Sequence, residues 1–95
     1  MKITKEQIAG WKKKHGEVFQ ITVDGKSCVL RRPTRRDLSY VSTIKEDKIQ
    51  VLETLLNQLW VDGDKEIKED DQLFFAVAQK METILEVKEA EIKKL

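Results

Sequence analysis

Four arginines, Arg31, Arg32, Arg35 and Arg36, fall within six residues. Pro33-Thr34 just before Arg35 reads as a helix start, so Arg35 and Arg36 occupy a first helical turn. Cations there oppose the helix macrodipole by about 0.3–1 kcal/mol each when exposed. That local conflict calls for a compensating charge. The sharper reading is an acidic protein partner or a phosphate. The plainer one is intramolecular pairing with the acidic stretch Asp62, Asp64, Glu66, Glu69, Asp70 and Asp71. No aromatic platform or nucleic-acid recognition motif accompanies the arginines, so a protein ranks ahead of nucleic acid as a partner.

The acidic stretch has the beginning of a calcium loop, with Asp62, Asp64 and Glu66 at positions 1, 3 and 5. It then fails twice. Ile67 stands where the loop needs glycine, and Leu73 stands where it needs a bidentate acid. His15 and Cys28 are the single histidine and the single cysteine, and two such ligands do not make a zinc site. His15 near a helix end is a favourable dipole partner, and Cys28 falls on a packed strand face as a small core residue. One histidine and scattered carboxylates give no nucleophile, base and orienter set, and the four glycines form no phosphate loop. The residues point to a protein that is not an enzyme, with no cofactor and no metal.

Bulk properties agree with a surface-driven role. The net charge is +1 with 37% charged residues, which offers no general attraction to nucleic acid or membrane. One cysteine excludes an internal disulfide. Met1-Lys2-Ile3-Thr4-Lys5-Glu6 holds no apolar run of signal-peptide length, and no stretch approaches membrane-spanning length. The expected compartment is a reducing cytoplasm. Residues 1–95 suit a single domain, which at this size buries only about two-thirds of its extended surface.

The elements follow from caps and periodicity. Thr4 and Gln7 have capping-box spacing, Ile3 and Ile8 form a hydrophobic staple, and Gly16 is a stop, so a short helix is expected over 5–15. Phe19-Gln20-Ile21-Thr22-Val23 and Cys28-Val29-Leu30 flank Asp24-Gly25, the preferred pair for a type I′ turn. A two-residue turn there sets Val23 opposite Lys26, Ile21 opposite Cys28 and Phe19 opposite Leu30. Phe19, Ile21, Val23, Cys28 and Leu30 then share an apolar face, and Val18, Gln20, Thr22, Ser27, Val29 and Arg31 share a mixed one. A one-residue slip destroys that sorting, so the register is well specified. Two strands alone are marginal in water and need helices laid on them or strands added by a partner.

Pro33 stops the second strand, and Thr34 with Asp37 caps a helix whose expected buried stripe is Leu38, Val41 and Ile44, with Tyr40 alongside. The pattern restarts near Glu46-Asp47. Ile49, Leu52, Leu55, Leu56, Leu59 and Trp60 give the strongest amphipathic signal, ended by Asp62-Gly63-Asp64. Asp70 or Asp71 caps a last helix with Leu73, Phe74, Val77, Met81, Ile84 and Leu85 inward. Phe74 and Phe75 leave that helix in different directions, so one of them is expected at the surface as a binding residue. Residues 86–95, with the pair Glu89 and Lys93, read as a solvated helical extension. The fold class is α+β, in the order α-β-β-α-α-α, with the three later helices on one side of the small sheet.

Three phrases carry a family resemblance: Val18-Phe19-Gln20-Ile21-Thr22-Val23-Asp24-Gly25, then Leu30-Arg31-Arg32-Pro33-Thr34-Arg35-Arg36-Asp37-Leu38-Ser39-Tyr40, then Leu55-Leu56-Asn57-Gln58-Leu59-Trp60-Val61-Asp62-Gly63-Asp64 before a Glu/Lys-rich end. Over residues 10–95 the chain resembles small tail assembly chaperones of long-tailed phages and prophages. The resemblance implies a non-enzymatic assembly factor that coats the long, helical tape measure protein and delivers it to the growing tail tube. It implies the tape measure protein or another tail protein as partner, self-association as a further expectation, and no catalytic residue. The residues assigned to protein binding are Arg31, Arg32, Arg35, Arg36 and Phe75. The competing classes are a minor tail or connector subunit of the virion, and a nucleic-acid-associated phage regulator using Arg31 to Arg36.

Overall fold

The computed structural model describes residues 2–44, 47–85 and 90–95. The element order is α1 (Lys5–His15), β1 (Val18–Val23), β2 (Lys26–Arg31), α2 (Arg35–Val41), α3 (Lys48–Leu59), β3 (Trp60–Gly63), α4 (Glu66–Glu69) and α5 (Asp71–Ile84). Helices together with one antiparallel sheet make the fold α+β.

Both capping boxes form. Thr4 accepts from the Gln7 N–H while the Gln7 side chain accepts from the Thr4 N–H, and Thr34 and Asp37 do the same at α2. Asp70 rather than Asp71 caps α5, accepting from the N–H groups of Gln72 and Leu73. The hairpin turns at Asp24 (φ 48°) and Gly25 (φ 75°), the left-handed pair that a type I′ turn requires. Its register is the expected one, with Val23 against Lys26, Ile21 against Cys28 and Phe19 against Leu30.

The core gathers Ile21, Cys28 and Leu30 from the sheet with Val41, Leu52, Leu55, Leu56, Leu59, Ile67 and the inward residues of α5. Phe19 and Val23 pack against its edge. The apolar sheet face therefore carries the later helices, and α1 lies on the other face. There Ile3, Ile8 and Trp11 line a groove of about 200 Å³ with Val18, Gln20 and Val29. No residue of α1 is buried.

Four sequence expectations need correction. The sheet has three strands in the order β1-β2-β3, because Trp60–Gly63 leaves α3 directly and pairs antiparallel with β2. The periodicity that carried Trp60 along with α3 concealed the switch. A further short helix, α4, follows β3 and buries Ile67 completely. In α2 only Asp37 and Val41 are buried, while Leu38 and Tyr40 are 47% and 57% exposed. A seven-residue helix packed mainly on α3 has room for a single buried line, and the two residues flanking that line stay in water. Finally, Ala90–Leu95 carry no helix and are exposed, and 86–89, the start of the expected extension, lie outside the described residues.

Candidate functional site

The four arginines divide into two pairs with different work. Arg31, at the end of β2, is held in a joint between three elements. Its Nη1 donates to Asp37 Oδ2 (2.6 Å) and its Nη2 to Asp37 Oδ1 (2.9 Å), a bidentate pair at the start of α2. Nη2 also donates to the Gln58 carbonyl oxygen (3.0 Å), one of the carbonyls that the end of α3 leaves without a helical partner. Asp37 Oδ2 additionally accepts from the Thr34 N–H (2.8 Å) and hydroxyl (3.0 Å). The Arg31 guanidinium, together with the Thr34 donors, holds the Asp37 carboxyl down at about 2 although burial opposes this. The same pairing raises Arg31 further above its ordinary value. Arg31 thus fixes α2 against β2 and α3, and its guanidinium is not available to a partner.

Arg32 is committed more loosely. Its Nε (3.1 Å) and Nη2 (2.7 Å) donate to Glu17 Oε2, and its guanidinium carbon stands 5.4 Å from the centre of the Phe19 ring. Both ends of that ion pair are about half exposed, so it contributes little to stability. Among the described residues the acidic partners of the cluster are therefore Asp37 and Glu17, and neither belongs to the acidic stretch. That stretch has tasks of its own. Asp62 accepts from the Gly63 N–H, Asp64 from the Ser27 N–H, Glu66 pairs with Lys26, and Asp70 caps α5. The Ser27 N–H is the leading cause that holds the Asp64 carboxyl below its usual range.

Arg35 and Arg36 are exposed, and no counter-charge meets them among the described residues. The three- and four-residue spacings that bring helical side chains together place Leu38 beside Arg35 and Tyr40 beside Arg36. Two cations thus lie on the exposed side of one short helix with an apolar residue at each margin, Leu38 next to Arg35 and Tyr40 next to Arg36. Sequence reasoning found the arginines and missed Leu38 and Tyr40, which it had assigned to the core. The available signal was the length of the helix, since Pro33 and the break after Val41 leave too few turns for a broad stripe.

Phe75 is 51% exposed on α5, with its ring 5.6 Å from that of the buried Phe74. The chief helical neighbours of α5 are α3 and α4.

Cys28 is fully buried, and burial is the main reason its thiol is pushed up to about 11. A thiol that stays protonated and out of reach is neither nucleophile nor ligand. Native protein is accordingly expected to resist alkylation at Cys28, with reaction appearing only as denaturant unfolds the chain. Rapid modification under native conditions, read by intact mass, contradicts that placement. Among the described residues no group of three or more His, Cys, Asp or Glu could hold a metal ion, and no helix is long and apolar enough to cross a membrane. Comparison with protein-family models, with curated proteins and with solved structures finds no match to this chain.

Proposed function

We propose that this protein is a non-enzymatic assembly factor of the tail-chaperone kind, holding a helical segment of a tape measure protein reversibly on the outer side of α2. The observation that carries this reading is the pairing of Arg35 and Arg36, which meet no counter-charge among the described residues, with the exposed Leu38 and Tyr40 on one anchored helix. Apolar contact supplies the affinity, and the two guanidinium groups select an acidic margin on the client helix. The surface is small, as suits a client that must be coated at many points and released again. The joint made by Arg31 and Asp37 supports this role by holding α2 in place without using its outer side.

The test is co-expression with a tape measure protein followed by co-purification. The chain is expected to keep the client soluble and to be absent, by mass spectrometry, from finished particles. Tyr40→Ala is expected to weaken capture by about 1–2 kcal/mol, roughly tenfold in Kd, with the circular dichroism unchanged. Arg35→Glu with Arg36→Glu should remove the salt dependence of binding as well. A client that stays insoluble and unbound, or capture indifferent to these substitutions, overturns the proposal. Retention on DNA or RNA at low salt, lost steeply as salt rises, assigns the arginines to nucleic acid instead.

A further inference from the structure

The outer edge of β1 is a second surface, independent of α2. Among the described residues β1 has one strand neighbour, β2, and its other side is a sheet edge. In an antiparallel pair the residues alternate between those that bond across the pair and those that direct N–H and C=O away from it. Ser27 shows which set points where. Its N–H donates to Asp64 Oδ2 (2.8 Å) and its carbonyl accepts from the Asp64 N–H (2.9 Å), so both groups point away from β1. Its cross-strand partner Thr22 must then direct its own N–H and C=O the opposite way, and so must Gln20 and Val18. A row of backbone donors and acceptors therefore faces outward along β1. An open groove of about 410 Å³ runs beside it, lined by Phe19, Gln20, Ile21 and Thr22 on the strand and by Lys80, Thr83 and Ile84 on α5.

Proteins normally guard such edges with charge, proline, bulges or short length. The other edge of this sheet is guarded in that manner. β3 is four residues long, shifts register between Val29 and Leu30, and carries Asp62 and Gly63. β1 has none of these devices. Val18-Phe19-Gln20-Ile21-Thr22-Val23 contains no charge and no proline, and Glu17 just before it is already paired with Arg32.

We propose that the β1 edge pairs antiparallel with the β1 edge of a second copy, joining two three-stranded sheets into one across a two-fold axis. The strand is self-complementary in this arrangement. Phe19, Ile21 and Val23 of each copy meet one another on the side of α5, Gln20 and Thr22 meet on the other side, and no like charges oppose within the strand. The guarded β3 edges end the continuous sheet on both sides, so association closes at a dimer.

Gln20→Pro tests this directly. Its N–H points outward, so proline there leaves the bonds to β2 in place and removes a donor from the seam. Gln20→Lys keeps the backbone and sets a cation from each copy near the other, on the face of the seam away from α5. Sedimentation equilibrium of wild-type chain over a dilution series is expected to show a monomer–dimer equilibrium without larger species. Each variant should raise the dimer dissociation constant roughly tenfold or more while circular dichroism keeps the native spectrum. Wild-type chain that stays monomeric at every concentration, or a dimer that both natively folded variants leave unchanged, overturns the proposal. A monomer whose edge is protected from hydrogen exchange only after client is added also overturns it, and assigns the edge to another chain.

Discussion

Gly63→Ala is expected to lower the thermal midpoint more than any other single methyl added to a glycine of this chain. A Cβ built at Gly63 would stand 2.7 Å from Cys28 Cα, 2.8 Å from Cys28 Cβ and 2.8 Å from Trp60 Cζ2. Two of those atoms belong to a fully buried residue of the central strand, and one is backbone, so nothing flexible can yield. Gly63 lies opposite Cys28 in the β2–β3 ladder, next to the clamp in which Asp64 bonds both backbone groups of Ser27. The methyl must therefore push β3 off β2. Overpacking of this kind costs about 1–3 kcal/mol, occasionally more, and each kcal/mol moves the midpoint of a domain this size by roughly 4–8 °C. Gly10→Ala is the matched control. It sits inside α1 with nothing within 4 Å of an added Cβ, and should stabilise by about 0.5–1 kcal/mol through helix propensity. Equal midpoints for the two variants would refute the close packing at Gly63.

The contrast between these glycines shows what the sequence can reveal. Asp24-Gly25 announced its turn, because only a few residue pairs adopt two successive left-handed conformations, and strand parity then fixed every partner in the hairpin. The caps at Thr4, Thr34 and Asp70 were equally legible, since each is a local bond between a short polar side chain and a nearby N–H. Gly63 was read as a helix stop, because its constraint comes from Cys28, far away in the chain. The third strand was hidden for a related reason: Trp60 continues the spacing of α3, and four residues are too few to establish a period of their own. The surface was half visible. Charge patterning singled out Arg35 and Arg36, but the division of labour between them and Arg31 depends on Gln58 arriving from α3, which no spacing encodes. The spacing of Leu38 and Tyr40 suits a full helical stripe, where the fold offers one buried line.

Acid should weaken this protein through one carboxylate in particular. Asp37 titrates at about 2 in the folded chain, against an ordinary 3.8, chiefly because it accepts from Arg31 and secondarily from Thr34. The folded state thus binds that proton more weakly than the unfolded state does. The stabilisation is fully present above about 3.8 and drains away as pH falls toward 2, amounting to roughly 2 kcal/mol. Asp37→Asn keeps a cap acceptor but loses the charge, so its urea midpoint at neutral pH should fall, and its further loss on acidification should be smaller than wild type by the same amount. Asp37→Ala removes the cap as well and strands Arg31 beside the Gln58 carbonyl. Its cost should approach about 3 kcal/mol, the low end for a broken buried pair, because the Arg31 side chain keeps 22% exposure and water relieves part of the charge. Both variants loosen α2, so both should also weaken client capture, although neither residue belongs to the outer side of the helix. A wild-type acid profile that Asp37→Asn reproduces unchanged would show that this joint does not carry the fold.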